Sequence, residues 1–170
     1  TGLATALYPD GSTPQVVDVV RTATFLFGAG QETTAKLLSA ALRVLGDRPD
    51  IQQQLREDRS LIPVFIEECL RMDSPVKSVF RMARKSTTLG DTAVSAGTTV
   101  MVSPGAANRD PARFSDAARF DPQREAKPHL AFGGGIHFCL GAPLAGWNCR
   151  WRCRGSSAGC RTCVWRGRRA

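Results

Sequence analysis

The sequence predicts a mainly α-helical chain with small β-sheet elements, arranged around one long central helix. Three observations carry that expectation. Thr13-Pro14 is a helix-start signal with no further proline before Pro49, two shorter proline-led helical stretches follow, and the interval from Val76 to Val102 is rich in β-branched residues broken by turn chemistry.

Residues 1–12 read as a loop, with Pro9-Asp10-Gly11-Ser12 supplying turn residues. Thr13 then caps a helix, and Pro14 takes its first position, where a missing N–H costs nothing. The helix is expected to run to about Leu45, stopped by Gly46 and Pro49, for a length of roughly 48 Å. Val16, Val20, Phe25, Phe27, Leu37 and Leu42 spread over nearly its whole circumference, so it requires burial on all sides. The rest of the chain is too short to wrap it, which points to an absent partner segment. Gly28 and Gly30 each cost such a helix about 1 kcal/mol, which suggests a purpose. Gly30 and Thr33 lie three apart on one face, setting a small gap beside a hydroxyl that can admit a diatomic ligand. A threonine bonded back to the preceding turn would also help the helix open locally.

Pro49 to about Glu57 reads as a short helix, and Pro63 starts another that reaches Met72. Within the second, Glu68 and Arg71 form an i, i+3 pair, worth only a few tenths of a kcal/mol if exposed. Beyond Pro75, Val76 to Arg81 is extended. Thr87–Leu89 and Thr92–Val94 flank Gly90-Asp91 as a hairpin, and Thr98 to Val102 is a further strand. Asn108-Arg109-Asp110-Pro111 is a turn or short helix, and His129 reads as a surface residue.

Chemistry concentrates at Phe132-Gly133-Gly134-Gly135-Ile136-His137-Phe138-Cys139-Leu140-Gly141. Successive glycines admit positive φ and a close backbone approach to a flat ligand. A cysteine acts as metal ligand only as its thiolate, which a soft iron centre favours. Phosphate-loop and dinucleotide readings fail, because no Gly-x-x-x-x-Gly-Lys occurs and the third glycine of the dinucleotide fingerprint is missing.

That run resembles the cysteine-ligand loop of the cytochrome P450 family, Phe-Gly-x-Gly-x-His-x-Cys-x-Gly, at every fixed position. Three further segments resemble the family in its order. They are Ala29-Gly30-Gln31-Glu32-Thr33 in the long helix, Glu68-x-x-Arg71, and Phe120-Asp121-Pro122-Gln123-Arg124 as a Phe-x-Pro-x-Arg segment. The resemblance implies that Cys139 is the proximal ligand of haem b (iron protoporphyrin IX), with Phe132 and Gly30 beside the cofactor and with His137 and Arg81 on its propionates. It implies that Thr33 steadies bound oxygen and that Glu32 helps deliver protons. Glu68, Arg71 and Arg124 would form a buried structural triad with no part in the chemistry, and Val76 and Val79 are weaker candidates for substrate contact.

The implied activity is that of a bacterial-type haem-thiolate monooxygenase. It would insert one oxygen atom of O2 into a small organic substrate, with electrons from NAD(P)H passed through a ferredoxin or flavoprotein. The resemblance covers about residues 1–145 and corresponds to the C-terminal portion of the fold. With the family's N-terminal half missing, the polypeptide by itself is expected to be inactive or to hold haem poorly.

Residues 146–170 form a basic Cys/Trp/Arg-rich tail, expected to be disordered. They hold seven arginines and no acidic residue, so residues 1–145 carry only +1 of the net charge of +8. All three tryptophans lie there, and the abrupt change in composition is what a shifted reading frame would produce. The alternative is a non-catalytic module whose tail binds zinc or nucleic acid. Cys149, Cys153, Cys160 and Cys163 would offer four thiolates at short spacing, and arginines alternate with tryptophans. Only Cys69 and Cys139 precede the tail, which excludes a disulfide scaffold for the main body. No leader and no run of ~18 uncharged apolar residues is visible, so a cytoplasmic chain without membrane or nucleic-acid partners is expected.

Overall fold

A computed structural model of the chain describes residues 2–125 and 128–149. The long helix, α1, spans Val16–Asp47, two residues later at each end than the sequence suggests. Gln15, not Thr13, occupies its N-cap in extended conformation, and the Gln15 carbonyl accepts from the N–H groups of Asp18 and Val19 at 3.0 and 3.2 Å. At the far end the helix passes straight through Gly46. The stop comes from Pro49, whose ring forces the preceding Arg48 out of the α region to φ −128°, ψ 79°.

Pro49 opens α2 (Pro49–Glu57), which turns Ile51 and Leu55, one helical turn apart, into the core. A short 3₁₀ turn over Arg59–Leu61, capped by the Asp58 carboxylate accepting from the Ser60 N–H at 2.8 Å, leads into α3 (Ile62–Met72). Ile62, Phe65, Ile66, Cys69 and Leu70 recur at helical spacing and are all buried. They meet Leu37 and Ala41 of α1, Ile51 and Leu55 of α2, and Cys149 near the end of the described chain. Each large side chain buried here contributes about 1.5–3 kcal/mol. The core therefore sits on α3 and the C-terminal half of α1.

The N-terminal half of α1 has no such cover. Val16, Val20, Phe25, Leu26 and Phe27 are all exposed, as a rod apolar around its circumference must be when little chain surrounds it.

Two small antiparallel sheets follow. β1 (Val79–Met82) pairs with β4 (Thr99–Val102) in the register Val79↔Val102, Phe80↔Met101, Arg81↔Val100 and Met82↔Thr99. β2 (Thr87–Leu89) and β3 (Thr92–Val94) form the expected hairpin, with Gly90 at φ 57° in its two-residue loop. After the short helix α4 (Pro104–Ala107), capped by Ser103, the chain runs without regular structure past Phe120 and back to α3. Phe120 meets Phe65 edge-on at 5.8 Å. Residues 142–149 are helical, so the boundary expected at 145/146 falls inside a helix, and Cys149 is fully buried. The expected disorder of the tail beyond that point lies outside the described residues.

Candidate functional site

The Cys139 loop is closed by its own backbone. The Cys139 N–H donates to the Phe132 carbonyl at 2.8 Å, Phe138 to Gly135 at 3.1 Å, and Gly133 to Leu130 at 3.0 Å. Between them Gly135–His137 makes one 3₁₀ turn. Two glycines are required by this path. Gly133 sits at φ 74°, where a Cβ would lie 3.0 Å from the His137 carbonyl oxygen, and Gly135 sits at φ 59° in open space. The result presents Cys139 as an exposed free thiol just before the helical segment 142–149. Ile136 and Leu140, 96% and 97% exposed, stand on either side of it in sequence, and Phe132 and Phe138 meet edge-on at 6.3 Å.

These residues fit haem. A soft ligand atom stands free, and apolar side chains that water disfavours flank it where a porphyrin face would cover them. His137 and Arg81 are exposed cationic or ionisable groups. The Arg81 side chain, on β1, donates through Nη1 to the neighbouring Phe80 carbonyl at 2.9 Å.

Behind the loop lies a buried polar frame built on α3. Glu68 and Arg71, 4% and 2% exposed, form a two-bond pair: Arg71 Nε donates to Oε2 and Nη2 to Oε1, both at 2.7 Å. Arg71 Nη1 donates to the carbonyls of Asn108 and Ala117 at 2.8 and 2.9 Å, and Nη2 to that of Arg119 at 3.1 Å. All five N–H donors of the guanidinium are thereby engaged. Its carbon lies 5.2 Å from the centre of the Phe114 ring. Arg124 adds Nε to Glu68 Oε1 at 3.3 Å, and its other nitrogens reach the carbonyls of Ser115, Asp116 and Arg119. Asp116 has φ 47°, and its carbonyl accepts from both Arg124 and the Arg119 N–H, which holds that strained turn in place. The structure thus brings Glu68, Arg71 and Arg124 together and winds residues 108–124 around them.

On α1, Thr33 Oγ1 donates to the Ala29 carbonyl at 2.8 Å, the back-bond expected from its position. The helix nonetheless remains unbroken there. A Cβ at Gly30 would meet nothing within 4 Å. Glu32 is exposed and pairs with Lys36 at 2.6 Å, and that hydrogen bond with the charge behind it holds the Glu32 carboxyl below its ordinary pKa.

Two features escaped the sequence. His129 is not a surface residue: its side chain is 9% exposed and its Nε2 lies 3.0 Å from Glu67 Oε2. The partner is 62 positions away, beyond any local pattern, although the doubled acid Glu67-Glu68 offered a hint. Asn108 is buried, with Nδ2 donating to Ser74 Oγ at 2.9 Å and Oδ1 accepting the Leu130 N–H at 2.6 Å. Its position in a turn motif suggested only local structure. Of the four tail cysteines that could have shared a zinc ion, Cys149 is packed in the core and the other three lie outside the described residues.

The sequence model of the cytochrome P450 family matches residues 8–151. Cytochrome P450 144 of Mycobacterium tuberculosis is 47% identical over 121 residues, 71% of this chain and 28% of that protein. Cytochrome P450 107B1 of Saccharopolyspora erythraea is 44% identical over 137 residues, 80% of this chain and 34% of that protein. Among solved structures, substrate-free cytochrome P450 CYP150A6 of Mycobacterium marinum superposes with a TM-score of 0.84 at 64% identity, over 91% of this chain and 38% of that one. CYP109E1 of Bacillus megaterium in complex with corticosterone superposes with a TM-score of 0.83 at 34% identity, over 88% and 40%. The chain spans 28 or 29% of the length of the Mycobacterium tuberculosis relatives it matches. On these matches, and on a helix-rich architecture that carries the cysteine loop, the chain belongs to the cytochrome P450 family.

Proposed function

We propose that this chain is the haem-carrying, C-terminal portion of a haem-thiolate monooxygenase, with Cys139 as the ligand. The observation that carries the reading is the Cys139 loop itself: a free sulfur at the end of a path with two positive-φ glycines, one of them, Gly133, too close to a backbone oxygen for a Cβ, backed by a fully bonded buried frame. When bound, the haem supplies activation of O2 and transfer of one of its oxygen atoms to a small organic substrate.

The chain's own residues supply the rest. Backbone closure from Phe132 to Cys139 limits the positions the sulfur can take. Arg81 and His137 would hold the propionates, and Phe132 and Gly30 would line the ring. Thr33 has its proton committed to Ala29, so its oxygen acts toward the ligand side as an acceptor that holds water. Glu32, kept ionised by Lys36, receives protons from solvent and passes them on. Electrons come from NAD(P)H by way of a ferredoxin or flavoprotein. No helix among the described residues is long and apolar enough to cross a membrane, and a cytoplasmic setting is the simplest for such partners.

In isolation the chain is inactive and holds haem loosely. Support comes from the exposed apolar half of α1 and from the small share of its relatives that the chain spans. Electron paramagnetic resonance of the ferric chain loaded with haem tests the assignment. A low-spin thiolate signal absent from Cys139→Ala is expected; the same signal in both chains would overturn it.

A further inference from the structure

The neighbouring acids Glu67 and Glu68 of α3 divide their work. Glu68 grips the segment around Arg124, whereas Glu67 reaches His129, at the mouth of the Cys139 loop. The contacts of His129 define its hydrogens. The Ala131 N–H can only donate, and it meets Nδ1 at 3.2 Å. Nδ1 is therefore an acceptor, and Nε2 carries the hydrogen that goes to Glu67 Oε2 at 3.0 Å. The imidazole thus fastens residues 129–131 to α3 and to their own backbone at once.

Those residues are the near post of the loop. The His129 ring stands 6.2 Å from that of Phe132, and the Phe132 carbonyl takes the N–H of Cys139 itself at 2.8 Å. A second tie comes from Asn108, whose Oδ1 accepts from Leu130. We propose that Glu67 and His129 are a positioning pair that sets the entry of the Cys139 loop on α3 and so governs how firmly the sulfur is presented to its metal. Neither residue touches the reacting atoms. The inference rests on the reading of Cys139 as the haem ligand.

The test uses the full chain with Glu67→Ala, His129→Asn and His129→Gln. Asparagine can place an oxygen near the position of Nδ1 and keep the Ala131 bond, but it cannot reach Glu67. Glutamine can place a donor near the position of Nε2 and keep the link. Hydrogen–deuterium exchange over residues 129–139, measured without haem, is expected to rise about tenfold in Glu67→Ala and His129→Asn, the value of one lost hydrogen bond, and to stay near the parent in His129→Gln. Exchange over the β2–β3 hairpin should stay unchanged in all three, which separates positioning from general unfolding. Nitrogen-15 shifts should show Nε2 protonated in the parent. Transfer of haem to apomyoglobin should be faster in the two broken-link variants.

Parent-like exchange over 129–139 in both broken-link variants would overturn the pair whatever the haem does. Raised exchange with unchanged haem transfer would overturn its role in presenting the sulfur. A parent chain whose haem spectrum is indifferent to Cys139 would instead overturn the ligand reading, and the exchange result would still report on the pair.

Discussion

Arg71 and Glu68 meet through two parallel hydrogen bonds of 2.7 Å, with both side chains almost wholly out of water. On spacing alone this pair would have been an exposed i, i+3 contact worth tenths of a kcal/mol. Burial changes its character, because each remaining donor of Arg71 must then find a carbonyl, and residues 108, 117 and 119 supply them. The meander beneath the cysteine loop is ordered by that requirement.

Arg71→Leu leaves the buried Glu68 carboxylate with only the longer 3.3 Å contact to Arg124 as a charged partner, and strips the Asn108 and Ala117 carbonyls of their guanidinium donor. It should cost about 3–5 kcal/mol in urea unfolding. Arg71→Lys should also be severe, since an ammonium offers three donors and no planar fork. A lysine variant as stable as the parent would contradict the frame described here.

The two positive-φ glycines of the loop should respond unequally. Gly135→Ala meets only the cost of the left-handed conformation, about 1–2 kcal/mol. Gly133→Ala adds a Cβ at 3.0 Å from a backbone oxygen and should cost more. Thermal unfolding of both variants checks the order; equal losses would mean that the loop adjusts freely.

Asp73 closes α3 and gathers cations. Burial alone would push its carboxyl up, but the hydrogen bond from Lys77 and the charges of Lys77, Arg43 and Arg109 outweigh it and hold it below the ordinary 3.8. Arg43 reaches it from α1 at 2.5 Å. A depressed folded pKa means the contribution is complete above the ordinary aspartate range and disappears as pH falls from there through the folded value. Asp73→Asn should therefore lower stability at pH 7 by about 0.5–1 kcal/mol and flatten the acid limb below about pH 4. An unchanged acid limb would remove Asp73 from that account.

Much of the fold was legible because its signals are local. The hairpin ends, Thr87–Leu89 and Thr92–Val94, came from turn chemistry and were matched residue for residue. α1 ends two positions beyond Leu45 because the stop is the constraint Pro49 places on Arg48 and not Gly46, and it starts two positions late because Gln15 and not Thr13 is its N-cap. Burial of Glu68 and Arg71 could be anticipated only through likeness to a family, since nothing in a four-residue spacing says whether water reaches it. His129 is not the surface residue its neighbours suggest because its partner lies 62 positions away, and Asn108, in the expected turn, is buried through partners 34 and 22 positions away that no local pattern announces.

The most direct test is the absorption spectrum of the ferrous, carbon-monoxide-bound chain after loading with excess haem, recorded for the parent and for Cys139→Ser. A Soret band of the thiolate-ligated type is expected in the parent, absent from the variant, and lost from the parent once apomyoglobin competes for the haem. The same spectrum in both chains, or no thiolate band in the parent, would contradict Cys139 as the ligand. A thiolate band that survives the competition would contradict the loose hold on haem.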